Sequence, residues 1–488
     1  MNGCFYLIFP VILPVLMGVI IKKLPLDRKM RTIISVGGLF ALSALSVFGL
    51  LFKGEADFTL WKITEKVVFA FSLDSVSRFY VLFVSVVWAF VGLYAAEYME
   101  HDENDARFWR YYLISYGALM GLSMADNLIT LYMFYEMMTL VTVPLVAHNM
   151  DKQSVAAAIK YLIYSVFGAS LALLGIFFVG AYADTFNFTV GGVFTSEMLS
   201  GRENLMRVVF FMMIAGFGVK AGMFPMHSWL PTAHPVAPAP ASAVLSGVIT
   251  KMGVLGIIRT VFYVAGVDFL KGTWVQYAFM TLALLTVVMG STLALKEKVF
   301  KKRLAYSTVS QVSYVLFGLS TMTTLGFVGA FMHIIFHSLI KNTLFMSAGA
   351  VIHKTGVIEV EDLRGMGRRM PVAMALFTVV SLGLIGIPPT GGFVSKWNLA
   401  MGAFSMTEAF SWIGPVALLL SAILTAAYLL SVSIRSFFAG YADEALTPAE
   451  PSWRMLVPMG LFAALTVILG VCPGFIADYA SQIAQLIF

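Results

Sequence analysis

Long apolar stretches separated by short polar connections make up most of the chain. A helix that crosses the roughly 30 Å hydrocarbon core of a bilayer needs about 20 apolar residues, and stretches of that length predict about fourteen spans. Several connections are too short to fold as a separate soluble domain. The predicted spans are residues 4–21, 32–52, 74–96, 108–125, 127–148, 158–183, 205–234, 240–266, 274–295, 304–321, 325–351, 372–404, 413–438 and 454–472.

The first predicted span differs from a secretory signal peptide. It contains Pro10 and Pro14, and Lys22 and Lys23 follow it, but no basic stretch precedes it. We therefore expect an uncleaved first helix, with the mature chain starting at or near Met1. The sequence as a whole predicts an all-α integral membrane protein.

Composition supports this assignment, because 59% of the 488 residues are hydrophobic and 12% are charged. The net charge of +6 is spread over the connections instead of forming a patch, which argues against nucleic-acid binding. Twenty of the 32 lysine and arginine residues fall on the side of the membrane reached after the first span. The positive-inside rule then predicts a multi-pass protein of the inner (cytoplasmic) membrane with both termini outside the cytoplasm.

Glycine and proline interrupt two of the predicted spans. The interruption of the seventh extends from Gly216 to His227, and that of the twelfth extends from Gly383 to Lys396. Proline removes an amide donor and opens the helical backbone, so the freed carbonyls need polar partners that lipid does not provide. Paired interruptions of this kind are typical of transporters built from inverted repeats.

The spacing of the two interruptions predicts the domain organisation. Five spans separate them, an odd number, so the repeat would be inverted across the membrane. One detail departs from this symmetry: Lys220 precedes its proline, whereas Lys396 follows its proline pair. The predicted units are three N-terminal helices (1–106), a first five-helix repeat (107–266), a second repeat (267–440) and a C-terminal helix (441–488).

Charged side chains inside the predicted spans are the strongest functional signal. Each costs roughly 2.5 kcal/mol or more in hydrocarbon, so such groups usually face a bundle interior and mark an ion or proton path. Glu136 and Lys220 are the leading pair, because a Glu–Lys pair whose spacing or hydration changes can switch protonation. The alternative is a static buried ion pair that fixes helix register.

A second group of titratable residues lies in the predicted eleventh span. His333, His337 and Lys341 recur every four residues and share one stripe of a helix, where imidazoles can relay protons. A metal site or a haem is less favoured, since no further histidine or cysteine follows with a suitable spacing. Cys4 and Cys472 form no C-x-x-C motif, so we expect any iron–sulfur centre to lie elsewhere.

The remaining ionisable residues in the spans allow more than one interpretation. Lys251 lies well within the eighth span and fits a proton chain better than an interfacial anchor. Arg78 and Arg259 lie nearer span ends, where anchoring is favoured. His227 and His234 beside the seventh-span interruption either tune access to the neighbouring lysine or hydrogen-bond the opened backbone.

Five ordered motifs carry a family resemblance. They are residues 134–138, 219–234, 304–311, 337–341 and 386–396. These motifs resemble those of the antiporter-like subunits of respiratory complex I, energy-converting membrane-bound hydrogenases and Mrp-type cation/proton antiporters. The likeness extends over nearly the whole chain.

This resemblance implies about fourteen transmembrane helices with two inverted five-helix repeats, each containing one broken helix. It implies no catalytic or redox centre and no cofactor or metal in this chain, with iron–sulfur or NiFe centres only in partner subunits. It also implies a proton-transfer series along the membrane midplane, with two accessory histidines. That series is Glu136, Lys220, Lys251, His333, His337, Lys341 and Lys396, and the accessory residues are His227 and His234.

Three functional hypotheses follow. The leading one is a proton-translocating subunit of a complex I-related oxidoreductase of the membrane-bound hydrogenase type, whose partners are other membrane subunits, a peripheral redox arm and the lipid bilayer. The second is a subunit of an Mrp-type Na+/H+ antiporter, so the use of Na+ stays open. The third, a cofactor-bearing membrane oxidoreductase, would require a chromophore, whereas we expect a colourless chain.

Overall fold

The computed structural model describes residues 5–52, 56–406, 409–438 and 447–488. In these residues the chain is mostly helical, and ten helices are long and apolar enough to cross a membrane by length and composition. The chain is therefore a multi-pass membrane protein. Cys4 and the predicted boundary between residues 440 and 441 lie outside the described residues.

Eleven α-helices and two π-helical segments occur in the described residues between 9 and 265. They are α1 (Phe9–Ile21), α2 (Arg28–Phe52), α3 (Ser75–Tyr98), α4 (Asp105–Ser123), α5 (Leu128–Val146), α6 (Lys152–Tyr182), α7 (Ser196–Leu199), α8 (Glu203–Ala221), α9 (Leu230–Val236), α10 (Ala239–Val244) and α11 (Thr250–Ile258). The π-helical segments are Leu245–Ile249 and Arg259–Ala265.

The second part of the chain begins with a short helix and continues through long ones. These helices are α12 (Val267–Leu270), α13 (Trp274–Lys296), α14 (Phe300–Ser320), α15 (Thr324–Thr355), α16 (Met366–Arg369), α17 (Pro371–Ile385), α18 (Gly391–Phe404), α19 (Phe410–Phe438), α20 (Trp453–Val471) and α21 (Gly474–Ile487). Short 3-10 turns occupy Phe5–Ile8 and Val360–Asp362.

Helices overlap all fourteen predicted spans, and both predicted interruptions are present. The seventh span consists of α8 and α9, and the twelfth consists of α17 and α18. The eighth span is less regular than expected, because π-helix follows α10 and again follows α11. Helices α4 and α14 are long enough to cross a membrane but too polar to be among the ten, so the number of crossings stays a prediction.

Two parts of the fold depart from the sequence prediction. The chain is not all-α, because an antiparallel hairpin of β1 (Asp57–Lys62) and β2 (Val68–Ser72) lies between α2 and α3. The described part of the C-terminal segment, residues 447–488, contains two helices instead of one, since α21 follows α20. With 14 residues α21 is too short to span a bilayer. It escaped a search for long apolar stretches because it is amphipathic and buries only one face.

The connections between spans gather at two opposite ends of the bundle. Asp102, Asn149, Pro235, Val299 and Ile358 come from five connections that follow odd-numbered predicted spans, and all line one cavity. At the other end, connections that follow even-numbered spans pair with one another through bridges such as Asn127 with Asn187. This grouping fits helices that alternate in direction; which end faces the cytoplasm stays a prediction.

The most buried helices lie at the centre of the bundle. Every residue in the most apolar stretch of Ala239–Ala265 is buried, and 83% of the corresponding stretch of Thr324–Thr355 is buried. These two segments carry Lys251, His333, His337 and Lys341. Protein, not lipid, therefore surrounds these polar side chains.

Candidate functional site

Lys220 lies in the last turn of α8 and is completely buried. Its ammonium nitrogen donates hydrogen bonds to Thr139 Oγ1 (2.9 Å), Tyr161 OH (3.1 Å) and Ser165 Oγ (2.8 Å), which belong to α5 and α6. The nitrogen also lies 4.5 Å from the centroid of the Tyr161 ring and 6.0 Å from that of Trp229. Three neutral hydroxyls thus hold the charge of Lys220.

Glu136 is half-buried on α5, one helical turn from Thr139. It forms no ion pair with Lys220 within 4.0 Å, and no hydrogen bond joins its carboxylate to another described residue. The static ion pair considered from the sequence is therefore not formed in this conformation. Contact between the two charges requires movement of a side chain or a bridging water.

The backbone at the end of α8 explains why Lys220 is free to use side-chain hydroxyls. Gly222 has a φ of 80° and its amide donates to the carbonyls of Gly218 and Val219. Trp229 Nε1 donates to the same Val219 carbonyl at 2.8 Å. The carbonyls of Gly218 and Val219 thus have donors without the lysine.

Lys396 occupies the second broken helix and has different partners. The first half, α17, ends at Ile385, and Gly386 follows with a φ of 96°. Lys396 is half-buried on α18, and its nitrogen donates to the carbonyls of Leu384 (2.5 Å) and Ile385 (3.1 Å). A cation beside the last carbonyls of a helix also complements the helix dipole.

The position of Lys396 accounts for the asymmetry of the two lysines in the sequence. Lys220 precedes its interruption and Lys396 follows its own, yet each lies beside the C-terminal end of the first half-helix. The side chain of Lys396 reaches back across the break from the second half. The two broken helices thus place a lysine at equivalent ends by different routes.

Lys251 and Lys341 are completely buried between the two breaks. Lys251 donates to the carbonyl of Ser246 at 2.5 Å, within the π-helical segment that widens this helix. Lys341 donates to the carbonyl of Leu304 on α14 at 3.0 Å. Complete burial contradicts an anchoring role for Lys251, because neither its nitrogen nor its stem reaches the surface.

His333 and His337 lie on one face of α15, as the spacing predicted, with ring centroids 5.9 Å apart. His333 Nδ1 shares a hydrogen bond with Ser395 Oγ at 2.9 Å. The other nitrogen of His333 and both nitrogens of His337 are buried without a partner among the described residues. Buried polar groups are normally hydrogen-bonded, so these atoms mark places for ordered water.

Arg259 is the clearest correction to the sequence interpretation. It was expected to anchor the chain at the membrane interface, but it is 1% exposed and forms a two-pronged ion pair with Asp74 at 2.6 and 2.8 Å. The rings of Phe188 and Tyr263 lie 4.6 and 4.7 Å from its guanidinium carbon. The pair joins the start of α3 to the π-helical end of the eighth span.

Lys301 is the buried lysine that the sequence interpretation missed. It was placed in a connection, yet α14 begins at Phe300 and Lys301 is only 5% exposed. Its nitrogen donates to the carbonyls of Pro235 (3.4 Å) and Ala237. The Lys-Lys-Arg run from 301 to 303 resembles a solvent-exposed connection, and no local signal in the sequence reveals the burial of its first member.

The two accessory histidines occupy different environments. His234 is completely buried, its ring stacks on Phe345 at 4.6 Å, and neither ring nitrogen has a partner in the described part of the chain. His227 is half-buried and stacks on Phe224 at 6.1 Å. Ser242 Oγ, not an imidazole, donates to the carbonyl of His234 opened by the break (2.9 Å).

Metal binding has little support from the arrangement of ligands. Over residues 5–52, 56–406, 409–438 and 447–488, no group of three or more histidine, cysteine, aspartate or glutamate side chains could hold a metal ion. The paired histidines of α15 alone supply two of the four ligands that a structural zinc site needs.

Two family models match this chain. A model described as the transmembrane part of NADH:quinone oxidoreductase and the Mrp antiporter matches residues 125–425, which include every candidate residue described above from Glu136 to Lys396. A model described as the N-terminus of complex I chain 5 matches residues 61–109.

Three similar proteins are named as subunits of different kinds of complex. The NADH-quinone oxidoreductase N subunit of Desulforudis audaxviator is 31% identical over 396 residues, which are 78% of this chain and 77% of the relative. Component B of hydrogenase-4 from Escherichia coli is 31% identical over 85% of this chain, but the match spans only 64% of that longer protein. A Na+/H+ antiporter subunit of Bacillus subtilis is 28% identical over 98% of this chain and 96% of its own length.

Solved structures share the fold over almost the whole chain. A chain of the Mrp complex from a Dietzia species has a TM-score of 0.85 at 20% identity and covers 99% of this chain and 97% of its own. A chain of respiratory complex I from Thermus thermophilus with bound NADH has a TM-score of 0.83 at 23% identity and covers 99% and 100%.

Proposed function

Because the chain belongs to the family of antiporter-like transmembrane subunits of NADH:quinone oxidoreductases and Mrp antiporters, we propose that it translocates protons within a complex I-related redox complex of the membrane-bound hydrogenase type. The chain itself performs no redox step in this proposal. Iron–sulfur or NiFe centres would belong to partner subunits, and the purified chain would be colourless.

The observation that carries this proposal is the state of the lysines inside the bundle. Lys220, Lys251, Lys341 and Lys396 form no ion pair within 4.0 Å in the described residues. Hydroxyls or backbone carbonyls hold each ammonium instead. A buried lysine without a carboxylate partner can change between ammonium and amine, which a proton carrier must do.

The proposed path uses these groups in order across the bundle. Approach of Glu136 to Lys220 would stabilise the ammonium, and separation would release its proton towards Lys251. His337 and His333, with their unpartnered nitrogens, would relay the proton through water, with Lys341 beside them. Lys396 would be the exit residue.

The proposal includes the membrane arrangement. Fourteen crossings, two inverted repeats over 107–266 and 267–440, and both termini outside the cytoplasm of an inner-membrane protein would place the two broken helices in opposite directions. Labelling of single cysteines placed at Lys22 and Lys298 with a membrane-impermeant thiol reagent tests the orientation. Reaction of both from the cytoplasmic side is expected, and reaction from the outside would reverse the topology.

A second candidate function is that of a subunit in an Mrp-type Na+/H+ antiporter, driven by the proton gradient. The full-length match to the Bacillus subtilis antiporter protein favours it, since the Escherichia coli hydrogenase component is a longer protein. Native mass spectrometry of the complex purified through this chain separates the two. Hydrogenase and iron–sulfur partners support the redox complex, whereas small membrane subunits alone support the antiporter.

A further inference from the structure

A cavity lies among the connections that follow odd-numbered predicted spans. Its volume is about 260 Å³, and Tyr98, Asp102, Asn149, Lys301 and the connection 235–238 form part of its wall. A water molecule occupies about 30 Å³ of liquid, so a polar cavity of this size holds several. None of the seven residues of the proposed series lines this cavity.

Lys301 is a buried side chain in the cavity wall. Its nitrogen caps the C-terminal end of α9 through the carbonyls of Pro235 and Ala237, where the chain leaves the helix. The last carbonyls of a helix lack intrahelical donors and carry partial negative charge. Within the described chain no carboxylate lies within 4.0 Å of Lys301, which thus resembles the buried lysines of the proposed path.

Asp102 provides a negative charge at the wall of the same cavity. His148 Nε2 lies 3.0 Å from its carboxylate, and this hydrogen bond is the main reason that the pKa of Asp102 lies below its ordinary value. Asp102 therefore stays ionised at neutral pH. An ionised carboxylate in the cavity wall raises the local concentration of protons.

His234 precedes Pro235, whose carbonyl accepts a hydrogen bond from Lys301. The three lysines whose charges act on its ring are Lys301, Lys341 and Lys251. Both of its ring nitrogens are buried and have no hydrogen-bond partner among the residues that the structure describes. A neutral imidazole can accept a proton on one nitrogen and release one from the other.

Helix α14 carries Lys301 and also accepts a hydrogen bond from Lys341. Lys301 lies one turn before Leu304, whose carbonyl accepts the hydrogen bond from Lys341. Lys301 thus lines the cavity, while Lys341 contacts the same helix from the interior of the bundle. His234 is the titratable group on which the charges of both Lys301 and Lys341 act.

We propose that Lys301 takes up the transported proton from the water of this cavity and passes it through His234 to Lys341 and Lys251. The neutral amine of Lys301 accepts a proton from water and passes it to one ring nitrogen of His234. The other ring nitrogen of His234 then gives up a proton to the neutral amine of Lys341 or Lys251. This inference rests on the proposed proton translocation and adds its uptake site. Uptake occurs at the end of the bundle where connections 102, 149, 235–238, 299 and 358 meet.

The test measures initial rates of proton translocation by the whole complex in liposomes, with assembly followed by native mass spectrometry. Lys301→Arg keeps a cation that can cap the carbonyls of α9 but does not release its proton. We expect an assembled complex whose rate falls about a hundredfold or more, the scale of a lost proton-transfer group. The control Lys298→Met changes an exposed neighbour, whose side chain is 67% exposed, and should keep the wild-type rate.

A wild-type rate in assembled Lys301→Arg overturns the inference, because charge alone would then suffice. If Lys301→Arg does not assemble, His234→Gln decides, since the ring makes no hydrogen bond within the described chain. The same fall supports uptake through His234, and a wild-type rate rejects it. Glu136→Gln and Lys220→Met in parallel separate the two claims: if they also translocate normally, the proposed function itself fails.

Discussion

The two broken helices place similar lysines in chemically different surroundings. Three hydroxyls hold Lys220, whereas two backbone carbonyls hold Lys396. A hydroxyl can accept a hydrogen bond from an ammonium and donate one to a neutral amine, but a carbonyl can only accept. Both lysines can change protonation, because a neutral amine keeps two N–H donors, but only the partners of Lys220 can also donate a hydrogen bond to that amine.

The largest difference between the two breaks should appear in the rate of proton translocation when each lysine is replaced by methionine. Lys220→Met should lower the rate of proton translocation about a thousandfold, and Lys396→Met about a hundredfold, since a proton-transfer group contributes about 10²–10⁴. The measurement is the initial rate in liposomes containing the assembled complex. Lys152→Met on the exposed start of α6 is the control. Equal rates for the two variants would contradict the comparison.

The hydroxyls around Lys220 provide a second way to test its role. In the triple variant Thr139→Val, Tyr161→Phe and Ser165→Ala, the ammonium loses all three partners. We expect the rate to fall about a hundredfold, because each of the three bonds contributes about 1 kcal/mol and about 1.4 kcal/mol corresponds to tenfold. Ser170→Ala on the same helix removes a hydroxyl that bonds only to the carbonyl of Val166, and is the control. A triple variant as fast as the control would show that the hydroxyls do not matter.

The two breaks also indicate what a sequence can reveal about this molecule. Both interruptions were predictable, since glycine and proline act on the backbone locally. The partners of the lysines were not: Thr139 is 81 residues from Lys220, and the carbonyl of Ser246 becomes available through π-helix. Burial of Lys301 likewise depends on the distant carbonyls of residues 235 and 237.

Outside the breaks, too, features set by the local sequence were predictable and features that depend on distant residues were not. Long apolar helices were predicted because hydropathy over about 20 residues is a local property. The amphipathic α21 and the hairpin of β1 and β2 were missed, since each is short and depends on packing against the finished bundle. Arg259 was assigned to the interface because its partner Asp74 lies 185 residues away.

Replacement of the lysine should lower thermal stability more at the second break than at the first. This is the reverse of the order expected for the translocation rate. Lys396→Met leaves the carbonyls of Leu384 and Ile385 without a donor, which costs about 1–3 kcal/mol for a buried polar group. Lys220→Met costs less, because Tyr161 OH keeps its 2.8 Å hydrogen bond with Thr142. Thermal unfolding of the purified complex should show a lower Tm for Lys396→Met. A lower Tm for Lys220→Met would mean that the hydroxyl cluster, not the helix end, stabilises its break.

The smallest effects should come from the left-handed glycines that end the first half of each broken helix. Gly222→Ala and Gly386→Ala place a side chain at φ values of 80° and 96°, and each should lower stability by about 1 kcal/mol. The added Cβ at Gly386 would lie 3.0 Å from Lys396 Cδ, so this variant should also slow translocation. At Gly222 the Cβ meets the flexible end of Leu230.

The control for both glycine variants is Gly460→Ala in α20, where an added Cβ meets nothing within 4 Å. It should raise the Tm, since alanine favours a helix over glycine by about 1 kcal/mol. A slower rate for Gly386→Ala with an unchanged rate for Gly222→Ala would show that the second break positions its lysine through the backbone. Equal rates would mean that both lysines depend mainly on side-chain partners, and the distinction between the two breaks would then be lost.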